Sequence, residues 1–182
     1  MKTNEILGRK IIDKNVKEVG KIAELTMNPK TFKISEIYGS YGSPISKKYF
    51  KIGTNEVLAL GDYLQVDLSK EEIEENSVDK ISKLPENIIK INGLINKKAL
   101  DSNGNECGKI SNIDIDFDEM VIKEIIVSKS STFGKSDSMN ISENDIMGLG
   151  DYLIINKVVK KENVEEESDE ADDQEKVNVN ID

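Results

Sequence analysis

"LGDYL" stands at residues 60–64, and "LGDYL" stands again at residues 149–153. Sliding the chain along itself by 88 residues lays 7–37 on 95–125 and gives ten identities in 31 positions: Lys10 on Lys98, Asp13 on Asp101, Asn15 on Asn103, Glu18 on Glu106, Gly20-Lys21-Ile22 on Gly108-Lys109-Ile110, Ile34 on Ile122, and Glu36-Ile37 on Glu124-Ile125. At a shift of 89, residues 52–66 lie on 141–155, and Ile52, Asn55 and the pentapeptide match, seven of 15. One residue is inserted between the blocks. Unrelated segments match at about one position in fifteen, so the chain is a duplicated unit of roughly 65 residues.

Within a unit the pattern is that of strands. "RKIID" (9–13) is a short β run. The turn after it reads "KNVKE" in the first copy and "SNGNE" in the second, where Asn103-Gly104 is a strong hairpin signal. "ISNIDIDF" and "VIKEIIV" place apolar residues at strand spacing on either side of "DEM". "TNEVLAL" (54–60) and "ENDIMGL" (143–149) suit one helical turn before a closing strand. In this reading LGDYL is the corner between that turn and the strand. Gly61 and Gly150 are expected to supply a backbone angle that side chains resist, Leu60 and Leu64 to plug the core, and Tyr63 and Tyr152 to start the final strand.

The segment 69–90 opens on Ser69 and acids, which suit a capped helix over about 70–83, ended by Pro85. Residues 162–182 hold ten acids and one base, a net charge of −9 out of a total of −10. Such a run cannot bury enough apolar surface to fold, and 161–182 is expected to be disordered. The organisation expected is a first barrel over 1–68, a helical linker over 69–90, a second barrel over 91–160 and an acidic tail over 161–182.

The chain has no histidine and one cysteine, Cys107. That removes imidazole acid–base catalysis, the Ser-His-Asp arrangement, His-ligated metal and an intramolecular disulfide. Cys107 aligns with Val19 and reads as a small buried hydrophobe. "DSNGNE" (101–106) has calcium-loop spacing in part but lacks the distal glutamate, and "DKNVKE" in the first copy has lysines there, so it reads as turn chemistry. In "DIDFDE", Asp114, Asp116 and Asp118 should form a solvated strand face that blunts an edge. A single arginine, Arg9, argues against DNA binding. No run reaches the ~20 apolar residues of a spanning helix, and no secretory leader stands at the N-terminus. A cytoplasmic protein without direct membrane insertion is expected, with no enzyme activity, cofactor or metal.

The strand, the hairpins "DKNVKEVGKI" (13–22) and "DSNGNECGKI" (101–110), the Ile/Val-rich hairpin and the closing "DYL" strand together resemble the PRC-barrel family over nearly all of 6–68 and 91–158. The first copy departs from the pattern at Val16, where glycine is usual. The resemblance implies an all-β fold of two tandem small, highly bent β-barrels. It is strongest to short archaeal PRC-barrel proteins that act at the cell-division site. It implies a non-enzymatic adaptor, recruited there, whose partner is the division-ring membrane anchor (SepF-like) or another PRC-barrel protein, in a homo- or hetero-oligomer. The alternative it implies is a ribosome-maturation or RNA-processing accessory factor.

Two candidate partner-binding stretches remain. The loop "YGSYGSPISKKYF" (38–50) gathers Tyr38, Tyr41, Tyr49 and Phe50, four of the nine aromatics, and exposed tyrosines among flexible residues suit recognition. Its counterpart in the second unit keeps Phe133. The end of the tail, "KVNVNID", alternates Val177, Val179 and Ile181 with polar residues, a pattern able to add a strand to a sheet edge.

Overall fold

The computed structural model describes residues 1–130 and 136–158. Phe133, the run 161–182 and with it Val177, Val179 and Ile181 lie outside the described residues. Helix α1 (Thr3–Ile6) precedes β1 (Lys10–Ile12), β2 (Glu18–Met27), β3 (Ile34–Tyr41) and β4 (Lys48–Gly53). A 3-10 turn (Thr54–Glu56) leads into β5 (Val57–Leu60) and β6 (Tyr63–Val66). Helix α2 (Lys70–Glu75) and β7 (Ile89–Lys90) follow, then a 3-10 turn (Asn92–Leu94). The second unit repeats the series as β8 (Lys98–Leu100), β9 (Glu106–Asp116), β10 (Val121–Ser130), β11 (Ser136–Ser142), a 3-10 turn (Glu143–Asp145), β12 (Ile146–Leu149) and β13 (Leu153–Ile155).

The two sheets have one topology. The first runs β4-β3-β2-β1-β6-β5 and the second β11-β10-β9-β8-β13-β12. In each, the only parallel pair on this path joins the unit's first strand to its closing strand, β1 to β6 and β8 to β13. The fold is therefore all-β, with two small barrels, as expected. Ile11, Leu25, Ile37, Ile52 and Leu64 fill the first, and Ile110, Ile113, Ile125, Ile141 and Leu153 the second, all fully buried.

The hairpin turns form by identical chemistry. One oxygen of Asp13 accepts the N–H groups of Asn15 (2.9 Å) and Lys17 (2.8 Å), and one oxygen of Asp101 accepts those of Asn103 (2.9 Å) and Asn105 (2.8 Å). This is turn-making by a short carboxylate, the reading expected for both loops. The left-handed position of the turn is held by Gly104 (φ 81°) in one copy and by Val16 (φ 61°) in the other. Just beyond, a Cβ on Gly20 would lie 2.5 Å from the carbonyl oxygen of Ser40, and one on Gly108 2.5 Å from that of Ser128. Both glycines let neighbouring strands close up where the sheet bends.

Several local expectations change. Helix α2 stops at Glu75, well before Pro85, because Val78 leaves to exchange two 2.8 Å backbone hydrogen bonds with Tyr49 on β4. The helical turn expected across 54–60 is confined to Thr54–Glu56, and Val57–Leu60 is strand. Leu64 and Leu153 are core, as expected, while Leu60 and Leu149 are partly buried against it. Gly61 and Gly150 do not serve the role expected of them. Neither has a positive φ, and a Cβ on either would meet nothing within 4 Å.

The linker and the N-terminal segment do not stay with their units. Strand β7 pairs with β2 of the first sheet, Thr26 opposite Lys90. At the other end of the repeat, Lys2 bridges to Asp114 on β9 of the second sheet. Lys2 and Lys90 are 88 apart, as are Thr26 and Asp114, so each unit's leading segment crosses to the other unit's long strand. The crossing is sealed by matching side chains. Glu24 accepts the N–H groups of Leu25 and Asn92, each at 3.0 Å. Its counterpart Asn112 accepts the Ile113 N–H (3.0 Å) and the Thr3 hydroxyl (2.6 Å). Asp114 is therefore not a free edge acid: it pairs with the N-terminal ammonium of Met1 at 2.5 Å.

Candidate partner-binding surface

Exposed residues that are identical in both units mark the candidate surface, because burial does not account for them. In the first sheet Lys10 on β1 stands opposite Tyr63 on β6 and opposite Lys21 on β2. Cross-strand partners point to one face, so Tyr63, Lys10 and Lys21 make a row, and all three are exposed. In the second sheet Lys98 stands opposite Lys109, and Tyr152, one residue before the Leu153–Ala99 pair, lies beside Lys98. Tyr152, Lys98 and Lys109 are also exposed.

The surroundings repeat too. Lys10 pairs with Glu18 at 2.9 Å and Lys98 with Glu106 at 2.8 Å. Each hydrogen bond to a carboxylate raises the lysine's pKa, so both ammonium groups stay charged. At the corner, Arg9 donates to the carbonyl of Gly61, and Lys97, its counterpart, donates to that of Gly150. Leu58 and Met147 each fall at a bulge between the sheet's last two strands, and each is about 60% exposed. Bulges re-aim a side chain, and here they leave a large apolar group facing solvent on each edge hairpin. Surface ion pairs of this kind contribute ~0–1 kcal/mol, so stability does not explain why the row is kept twice. Elsewhere the surfaces have diverged: Lys14 matches Ser102 and Lys17 matches Asn105.

The loop 38–50 does not display its aromatics as an exposed cluster. Phe50 is fully buried, and Tyr38 is buried with its hydroxyl donated to Glu36 at 2.6 Å. Burial and that carboxylate push the Tyr38 phenol well above its ordinary pKa. Tyr41 is half-buried, donates to the Ser77 hydroxyl at 2.9 Å, and lies 6.1 Å from the Phe50 ring. Tyr49 is half-buried under the Lys47 ammonium, 5.3 Å from its ring centre. The exposed members of the loop are Gly42, Ser43, Pro44, Ile45, Ser46 and Lys47. β3 and β4 run deep into this stretch: Phe50 falls on the inward face with Ile52, opposite Gly39, whereas Tyr38, opposite Glu24 and Lys51, lies on the other face of β3 and is buried there beside Glu36. Val177, Val179 and Ile181 lie outside the described residues.

Cys107 is buried, as its alignment with Val19 implies, and burial pushes its thiol pKa up. A groove of about 850 Å³ opens between α2 and the end of the first sheet, lined by Val19, Lys21, Tyr41, Pro44, Lys47 and Ile73. It borders the first row at Lys21. Among the described residues, no helix is long and apolar enough to cross a membrane.

Comparison with protein-family models matches residues 86–162 to the PRC-barrel domain. Residues 86–162 are a PRC-barrel domain. No curated protein matches the chain. The PRC-barrel domain carries the row Tyr152–Lys98–Lys109. For residues 6–68 the likeness rests on the duplicated sequence and on the same strand order around Tyr63–Lys10–Lys21. The rows were open to detection in the sequence: Lys10, Lys21 and Tyr63 are identities of the repeat, and only the register of three strands was needed to see that they are neighbours.

Proposed function

We propose that this chain is a non-enzymatic adaptor whose two barrels present one binding face twice, so that one molecule engages two copies of the same partner. The observation that carries the reading is the exposed Tyr–Lys–Lys row, identical in both sheets. Tyrosine supplies a flat amphipathic contact and the lysines favour a partner with acidic groups nearby. Two weak sites on one rigid body gain by effective concentration when the partner is itself paired. The setting we propose for such an adaptor is the cytoplasm at the division ring, between a SepF-like membrane anchor and other components; the resemblance to short archaeal PRC-barrel proteins supports this reading.

The test is affinity purification of the full chain from native cells beside a Tyr63→Ala, Tyr152→Ala double variant of unchanged melting temperature. Recovery of division-ring proteins by the parent and their loss from the variant is the expected result. Recovery dominated by ribosomal proteins would replace the setting with ribosome maturation. Equal recovery by both proteins would remove the two rows as the binding face.

A further inference from the structure

Each sheet ends on two edge strands, and one edge of the second unit is unlike the rest. Strands β5 and β12 have four residues each and a break in register against their neighbours. Edges so shortened and bulged are protected from further pairing. Strand β4 is longer and regular, but it is covered. Tyr49 exchanges both of its outward hydrogen bonds with Val78. The Lys48–Asp79 pair at 2.6 Å and the Tyr41–Ser77 hydrogen bond at 2.9 Å hold the covering segment in place. Strand β11 is the counterpart of β4. It has seven residues and pairs with β10 without a break in register. Among the described residues, nothing pairs with its outer edge.

Ser138 on β11 stands opposite Ser128 as Tyr49 on β4 stands opposite Ser40. Ser138 is therefore the counterpart of Tyr49 and turns its N–H and C=O outward. The strand period gives Asn140 the same direction. The strand, "SDSMNIS", has neither the lysine nor the proline that guards an edge, and its one charge, Asp137, already faces Lys129 on β10. Met139 is half-buried, packed against the core at the rim of the sheet.

We infer that β11 pairs antiparallel with β11 of a second copy of this chain, about a two-fold axis at Met139. Ser138 of each copy then exchanges main-chain hydrogen bonds with Asn140 of the other. Met139 packs against its own counterpart, and Asp137 meets Ile141 rather than another acid. The strand is complementary to itself: uncharged at its centre, apolar on the core face and polar on the other. Because Val78 covers β4, each chain has one such edge, and the assembly closes at two copies instead of running on as a fibre. Lys109 stands opposite Ser128, and Ser128 opposite Ser138. The row Tyr152–Lys98–Lys109 therefore shares a sheet face with Ser138, and the pairing sets the rows of two chains on one side of a joined sheet. The pairing stands whether or not the rows bind a partner.

Sedimentation velocity of the full chain over a range of micromolar concentrations tests it. A contact of one strand on another is small and reversible, so the mass should rise with concentration from 20.3 kDa towards twice that value. Ser138→Pro removes an N–H that β10 does not use, as prolines on edge strands do. It is expected to abolish the dimer at an unchanged melting temperature. Ser138→Lys keeps the N–H and puts an uncompensated charge at the centre of the contact. It is expected to weaken the dimer several-fold, and it keeps the test decisive if the proline disturbs the strand. A parent chain that stays at 20.3 kDa throughout overturns the proposal. So does a dimer that both variants retain, and a mass that climbs past two copies overturns the closure.

Discussion

Lys33 faces Val121 across an antiparallel bridge, and the two are one position of the repeat, 88 residues apart. The hydrogen bonds on either side of them are exchanged in kind. Ile34 N–H donates to the carbonyl of Met120 and Ile122 N–H to that of Phe32, both at 2.8 Å. A local two-fold axis passes through this bridge and relates the two units. With the crossings of Lys2 to Asp114 and Lys90 to Thr26, it gives the chain an isologous interface inside one polypeptide. The paired presentation of the two rows follows from this axis.

The crossing of α1 is expected to matter to the whole molecule. Ile6 is fully buried where α1 packs against β9. Ile6→Ala should cost about 2–5 kcal/mol, the range for truncating a buried isoleucine, measured by urea unfolding. A much smaller loss would mean that the N-terminal segment is not held on the second sheet.

Glu24 gives the interface a pH dependence. Burial raises its pKa, with the N–H groups of Asn92 and Leu25 opposing the shift. A carboxyl whose folded pKa lies above its unfolded value of about 4.5 contributes most when protonated. That contribution is lost as pH rises through the folded pKa. Glu24→Gln keeps the acceptor oxygen and removes the charge, as Asn112 does in the other unit. The variant should melt higher than the parent at pH 7, and the difference should shrink towards pH 4.

Val16 is a β-branched residue in a left-handed conformation, 82% exposed. Strain of this kind costs on the order of 1–2 kcal/mol. Val16→Gly should stabilise the chain by about 1 kcal/mol after the extra freedom of glycine in the unfolded state is set against it. The reverse change, Gly104→Val, should destabilise by a similar amount, read from paired thermal melts.

The glycines of the pentapeptide and those of the strands should respond differently. Gly61→Ala and Gly150→Ala should stay within about 0.5 kcal/mol of the parent, the range of a surface change that meets nothing. Gly20→Ala and Gly108→Ala should each cost about 1–3 kcal/mol, because the new Cβ collides with a neighbouring carbonyl. Equal effects in the two groups would contradict the close strand approach at Gly20 and Gly108.

By itself, the sequence determined the duplication, the strand character of each unit and the turn chemistry of Asp13 and Asp101. Repeats, alternation and turn residues act over a few neighbours, so they are legible without a fold. It also held the three residues of each exposed row as identities of the repeat, without saying that they are neighbours. The tertiary structure alone decided which edges meet. That Lys2 crosses to Asp114, that Ile89 and Lys90 become a strand of the first sheet, that Val78 ends α2 early, and that Tyr38 and Phe50 are buried all depend on partners distant in the chain. A strand edge is satisfied by whichever backbone reaches it, and side-chain period carries no record of that choice.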